Sequence, residues 1–264
     1  MTAADFEYDG LLLSDLGFMI CQFDEATGFS SSSAGSTLDV TTVIQNSGRK
    51  HIIVGSTYKD ANEPEFSICK KDGSIITTDE YGLIMHWLNR AAFYKLTILT
   101  PDWQQISFMC TFNIEKVEHR GRIVGFNLTA ITNSAFGWGD QLDYEFSIPT
   151  ADGFYDILDE SEEIGCLYPD SLEVTCDGAG DLCIINSIEP DRKTIVKDCA
   201  AGEVIKFDGK TLVITSSIDP KIYNRFNFNY VRIANTSIDS INTLSFSIPC
   251  TVKLSYTPAR KVVF

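Results

Sequence analysis

Residues 244–256 read Leu244-Ser245-Phe246-Ser247-Ile248-Pro249-Cys250-Thr251-Val252-Lys253-Leu254-Ser255-Tyr256. Apolar side chains occupy every second position, with Ser, Pro, Thr and Lys between them. Successive side chains of a strand point to opposite faces, so the pattern predicts one long strand with a buried face and a wet face. Pro249 lacks a backbone donor and is expected on an edge, or turned away from the ladder. The chain is therefore expected to be mainly β and to end in a packed strand.

Upstream, short apolar stretches at 144–148, 171–175, 182–185, 194–196, 204–207, 212–216 and 230–233 read as further strands separated by turn signals, the pattern of a β-sandwich. Asp208-Gly209 reads as a two-residue hairpin turn of the primed type. Phe226, Phe228 and Tyr230 are spaced by two, which suits a strand core before it suits a binding surface.

The first half differs. Asp9-Gly10 and Gly17 break residues 6–23 into two short strands and a turn, and residues 28–36 are Ser/Gly-rich and read as a flexible loop. Strands are expected at 38–44 and 51–54 around Asn46-Ser47-Gly48. A hairpin is expected around Asp72-Gly73. Thr77 and Glu80 fit a capping box, and Tyr81, Ile84, Met85, Leu88 and Ala92 fall on one face of a helix over about 78–92. A strand at 94–99, a turn at Pro101-Asp102 and a hairpin of 106–117 with 123–131 follow. Gly137-Trp138-Gly139 interrupts the pattern. The expected domains are residues 1–139, a β domain with one α-helix, and residues 140–264, a β-sandwich.

The chain has 264 residues, 44% of them hydrophobic, enough for packed cores. Its apolar runs are too short for a membrane helix, and the N-terminus carries no signal-like stretch, so no membrane insertion is expected and synthesis is placed in a cytoplasm. The net charge is −15. Between Arg122 and Arg192 there is no Lys, Arg or His, while residues 140–191 hold fifteen acids. That sign excludes a free-standing nucleic-acid binder, and a solvated connector with loops is its expected form. Eight cysteines lie scattered without metal-ligand spacing and read as buried thiols.

Nothing in the sequence makes a convincing reactive centre. His51, His86 and His119 fall in a strand, a helix and a hairpin turn. Asp177-Gly178-Ala179-Gly180-Asp181 offers oxygens to calcium but lacks the later Glu of a loop site, so a turn is expected. Residues 156–163 hold five carboxylates; paired carboxylates serve glycoside hydrolysis when one is buried, but a polar loop of solvated charge is expected here. Trp87, beside the helix face, and Trp103 and Trp138, in turns, are compatible with sugar stacking but do not indicate it. No catalytic, cofactor-binding or metal-binding residue is expected.

The order of these signals resembles the distal tail protein (Dit) family of long-tailed, non-contractile bacteriophages. The likeness rests on Phe6-x-Tyr8-x-Gly10, the capped helix Thr78-x-Glu80 with Ile84-x-x-Trp87-Leu88, Tyr94-Lys95-Leu96, Gly202-Glu203-Val204 with Asp208-Gly209, Phe226-Asn227, Arg232-x-x-Asn235, Asn242, Cys250-x-Val252-x-x-x-Tyr256 and Arg260. The resemblance implies a ring-forming N-terminal domain and a galectin-like C-terminal sandwich. It implies a structural virion protein at the tail tip, with no enzymatic activity and no cofactor. Its implied partners are five other copies of itself in a hexameric ring, the tail tube protein, the tail-tip hub or tail-associated lysin, and receptor-binding or other baseplate proteins. DNA would pass through the ring without specific binding. A carbohydrate-binding sandwich is the alternative reading, and a glycosidase using the five carboxylates a third.

Overall fold

The computed structural model describes residues 5–23, 38–45, 50–58, 61, 63–100, 106–236 and 240–261. The Ser/Gly-rich stretch at 28–36, the turns at 46–48 and 101–102 and Trp103 lie outside the described residues. The chain divides into two compact units, residues 1–139 with 260–264, and residues 140–259.

The first unit contains β1 (Asp5–Tyr8), β2 (Leu11–Leu12), β3 (Phe18–Cys21), β4 (Leu38–Gln45), β5 (Lys50–Tyr58), β6 (Glu65–Lys70), α1 (Thr78–Leu88), β7 (Tyr94–Leu99), β8 (Ile106–His119), β9 (Arg122–Thr132) and β10 (Gly137–Trp138). One sheet runs in the order β2-β1-β7-β8-β9-β6-β3, with β10 beside the start of β8. Asp9-Gly10 closes β1 onto β2, and Arg120-Gly121 closes β8 onto β9; all four residues have positive φ, the requirement of the tightest hairpin turn. Asp72-Gly73 does not form the expected hairpin. Both sides of β6 are already paired, with β3 and β9, so residues 73–77 run as an irregular lead into the helix.

Thr77 caps α1 as the sequence predicts: its hydroxyl oxygen accepts from the Glu80 N–H, and the Glu80 carboxylate accepts from the Thr77 N–H at 2.8 Å. The Lys70 ammonium, 2.7 Å away, acts with these bonds to hold the Glu80 carboxyl down at about 2. The helix stops at Leu88, four residues short of the expected 92. Asn89 donates its side-chain amide to Phe112 O, and Arg90 pairs with Asp9 at 2.6 Å, so the chain is committed to the sheet before Ala92 is reached. Ile84, Trp87 and Leu88 bury the helix face against Phe6, Tyr8, Phe66 and Phe112. The Trp87 indole stacks on Phe6 at 5.8 Å and donates to Tyr8 O at 3.0 Å, so this aromatic core has its polar handle satisfied.

The second unit contains β11 (Leu142–Ile148), β12 (Gly153–Leu158), β13 (Gly165–Leu167), β14 (Ser171–Cys176), β15 (Gly180–Asn186), β16 (Lys193–Cys199), β17 (Val204–Asp208), β18 (Val213–Ser216), β19 (Ile233–Asn235), β20 (Ile241–Phe246) and β21 (Cys250–Tyr256). A last short strand, β22 (Ala259–Arg260), ends where the chain returns to the first unit at Arg260. A five-stranded sheet, β11-β21-β14-β17-β18, and a four-stranded sheet, β12-β20-β15-β16, share one hydrophobic core. The expected single strand over 244–256 is two strands. The alternation is unbroken, and all seven apolar residues from Leu244 to Tyr256 are buried. Yet β20 pairs with β12 and β15, while β21 pairs with β11 and β14. The chain crosses from one sheet to the other at 247–249, which keeps the apolar face inward because both sheets turn that face to the same core. Pro249 sits at the crossing and not on an edge, and its carbonyl accepts from the Asp177 and Gly178 N–H groups.

Other local expectations fail for identifiable reasons. Asp208 pairs with Val213, so the turn has four residues between the partners, not two. Asp208 Oδ1 accepts from the N–H groups of Lys210 and Thr211, and Leu212 takes the positive φ. Gly209 is needed for close approach, since a Cβ there would lie 1.8 Å from Pro169 O. Residues 226–230 are not a strand: Phe226 and Tyr230 are buried, but Phe228 is exposed at positive φ. Asn227 explains the departure. Its amide group bonds Ile195 N–H and Lys193 O, and Arg225 O accepts from Lys197 N–H, so this segment covers the outer edge of β16 as a strand would. The acid-rich interval is likewise not mainly connector. Glu145 on β11 and Glu173 on β14 face Lys253 and Lys206 at 3.3 and 2.6 Å, bases that the sequence places after residue 191.

Arg225 also enters a buried cluster. Glu203, whose side chain is fully buried, accepts from Arg225 at 2.7 Å, from Ser216 and from the Ala200 N–H. Burial works against its ionisation, but these three donors outweigh it and hold the carboxyl below its ordinary 4.5. A carboxyl depressed in the folded state contributes stability that is present above the unfolded pKa and lost as pH falls through the folded one. The stability of the second unit should therefore fall as pH drops below about 4.5, and Glu203→Gln should flatten that dependence while lowering stability at pH 7, as read by denaturant titration at both pH values. Gly209→Ala should destabilise the same unit by about 1–3 kcal/mol, measured the same way, because the new methyl meets backbone that cannot move aside.

Candidate assembly surfaces

The candidate reactive side chains are dispersed among the described residues. His51 stands on β5, His86 on α1 and His119 at the end of β8, all exposed. All eight cysteines are free, and Cys110, Cys176, Cys199 and Cys250 are buried. Burial pushes the Cys110 and Cys250 thiols up to about 12, the opposite of an activated nucleophile. Among the described residues no group of His, Cys, Asp and Glu has the geometry to hold a metal ion. In the Asp177–Asp181 turn the two carboxylates serve different partners, Asp177 accepting from Thr251 and Asp181 from the Asp198 N–H.

The five carboxylates at 156–163 do not form the expected polar loop. Asp156 lies on β12 and accepts from Thr243 at 2.6 Å. Asp159 is buried and accepts from the Ser161 N–H, closing a local turn. Trp87 is a core residue, and Trp138 belongs to β10, with its carbonyl accepting from Ser107. Arg232, Asn235 and Asn242, which mark the resemblance, are structural. Asn242 is fully buried; its amide group bonds Ala234 N–H and O and accepts from Asn186, so it pins the strand pair β13–β19 near β20. Arg232 forms a two-pronged ion pair with Glu189.

Two clefts on the second unit, one lined by Tyr168, Phe207 and Tyr230 and the other beside Glu189, Arg192 and Arg232, each hold about 200 Å³ of empty space open to solvent. Ligand pockets are typically about 300–1,000 Å³.

What stands out instead is surface. Strands β4 and β5 pair only with each other among the described residues, and nearly every described side chain on them is exposed. The register, with a bulge between Thr41 and Thr42, places Leu38, Val40, Ile44 and Ile53 on one face and the cross-strand pair Val43 and Ile52 on the other. Their exposures run from 38% for Val40 to 63% for Ile53. At the base of this ribbon Tyr58 packs edge-on against Phe136 at 4.7 Å. The sequence shows two strands here, and the apolar positions of both parities are the legible signal that neither face is meant for water. Their standing clear of any core is visible only in the structure.

Residues 1–134 match a family model described as a phage tail protein N-terminal domain, and residues 136–256 one described as a phage tail C-terminal domain. Among solved structures, the chain is similar to the Dit protein (gp 19.1) of phage SPP1, a structure described as a paradigm of the hub adsorption apparatus in phages infecting Gram-positive bacteria. The TM-score is 0.65 at 12% identity, over 97% of this chain and 99% of that one, a likeness of fold. No curated protein matches. With family models accounting for both units, from residue 1 to residue 256, this chain belongs to the phage tail protein family that they describe.

Proposed function

We propose that this chain is a structural hub of the tail tip, a distal tail protein whose copies close into a ring through residues 1–139. The ring joins the tail tube to the host-adhesion device, and the galectin-like sandwich of residues 140–264 carries the attachments. Its neighbours in this reading are the tail tube protein, the tail-tip hub or tail-associated lysin, and receptor-binding or other baseplate proteins. The chain does no chemistry: it is made in the host cytoplasm and acts by holding neighbours in place in the virion.

The β4–β5 ribbon carries this reading. A two-stranded ribbon alone is marginal in water, and aliphatics on both of its faces are stabilised by roughly 25 cal/mol for each Å² that another surface covers. A neighbouring copy supplies that surface in a heterologous contact, which makes a ring when the rotation closes. The likeness of fold to the SPP1 Dit protein, itself described as a hub, supports the same reading. DNA passage fits the charge of the first unit, sixteen acids against twelve Lys and Arg, which does not retain a polyanion.

Native mass spectrometry of the intact chain should resolve a six-fold species. Ile44→Lys together with Ile53→Lys should shift it to monomer while leaving the melting temperature of the monomer within about 2 °C, since surface changes away from packed groups are nearly neutral. A wild-type chain that stays monomeric at high concentration contradicts the proposal.

A further inference from the structure

A second unpartnered surface lies on the sandwich and has a different chemistry. Strand β12 is the last strand of its sheet and, among the described residues, pairs only with β20. The Asp159 N–H bonds Ser240 O, and on the far side of β20 the Ser187 N–H bonds Thr243 O. Backbone groups of an antiparallel strand alternate in direction, so those of Phe154, Asp156 and Leu158 face away from the sheet. The Leu158 carbonyl is taken by the Tyr256 hydroxyl at 3.0 Å. The N–H and C=O of Phe154 and Asp156 and the N–H of Leu158 remain as an open edge.

The side chains of the same three residues point to the outer face of the sheet. Phe154 is 66% exposed and Leu158 44%, and Ile241, directly opposite Leu158, is 57% exposed. Charge beside this apolar face is acidic: Asp156 stands between Phe154 and Leu158 on the strand, Asp152 precedes it and Glu160 follows it, all three exposed, and residues 150–163 contain no Lys, Arg or His. A charge on an edge strand blocks pairing with unsuitable partners, and an acidic edge repels a second copy of itself. It admits an extended segment of opposite charge.

We propose that the β12 edge takes a basic, extended segment of a partner protein as an added strand. Main-chain bonds to Phe154 and Asp156 hold it in register, apolar side chains settle on Phe154, Leu158 and Ile241, and lysines or arginines meet Asp156 and its neighbours. The surface is complete within residues 140–259 and does not depend on the chain forming a ring.

The probe is an acetylated octapeptide of alternating lysine and valine, titrated into the full chain at low and high salt, beside a version N-methylated at every second residue. Binding should saturate, weaken with salt, and slow hydrogen exchange at the amides of Phe154, Asp156 and Leu158. The N-methylated peptide should bind at least tenfold more weakly, as should the parent peptide to a chain carrying Phe154→Ser and Ile241→Ser or Asp156→Lys. Absence of saturable binding, equal affinity for the two peptides, or binding that leaves those three amides unprotected overturns the proposal. The exchange readout needs no variant, so it stands even if a substitution disturbs folding.

Discussion

Apolar side chains repeated at period two must be covered, and the rest of this molecule follows from how each set finds its cover. In the second unit the two sheets cover one another. The stretch from Leu244 to Tyr256 shows the constraint most plainly, because the chain changes sheets at Pro249 without losing a single inward position. In the first unit α1 supplies the cover, laying Trp87 and Leu88 on an aromatic floor of Phe6, Tyr8 and Phe112. Burying each such side chain contributes about 1.5–3 kcal/mol, so none is left exposed without loss. The β4–β5 ribbon and the outer face of β12 at Phe154 and Leu158 are the exceptions among the described residues.

Polar groups obey the matching rule that burial requires a partner. Asn242, Asn186 and Asn235 are buried where strands end and the chain turns, and each bonds backbone that has no ladder to join. Asn227 and Arg225 do the same for the free edge of β16. Edges treated in this way are closed to other chains. Those left open, together with the exposed ribbon, remain available to other chains among the described residues.

Much of this was legible in the sequence. The capping box of Thr77 and Glu80, the Asp9-Gly10 turn, the 106–132 hairpin and most strands of the sandwich are local patterns, and they appear where the residues put them, whereas the strand expected at 230–233 begins only at Ile233 and the strands at 153–158 and 165–167 are not among those expected. Mainly β with one helix was the correct class. The failures are tertiary. Alternation cannot reveal that a chain changes sheets, so 244–256 reads as one strand. Helical spacing cannot reveal that Asn89 is claimed by Phe112 O, so the helix reads four residues too long. A run of acids reads as solvated connector until pairing brings Lys206 and Lys253 opposite Glu173 and Glu145. The candidate surfaces were the least legible, since exposure is a property of the whole fold and the residues that carry it, Ile44, Ile53 and Phe154, look like core.

In the proposed ring, strands β4 and β5 are ordered against a neighbouring copy. Amide hydrogen exchange of the ribbon, followed as protein concentration is raised, tests it most directly. Fast exchange is expected in dilute monomer, with strong protection that appears together with the assembled species. Protection that is equally strong at every dilution, or equally absent in the assembly, contradicts it.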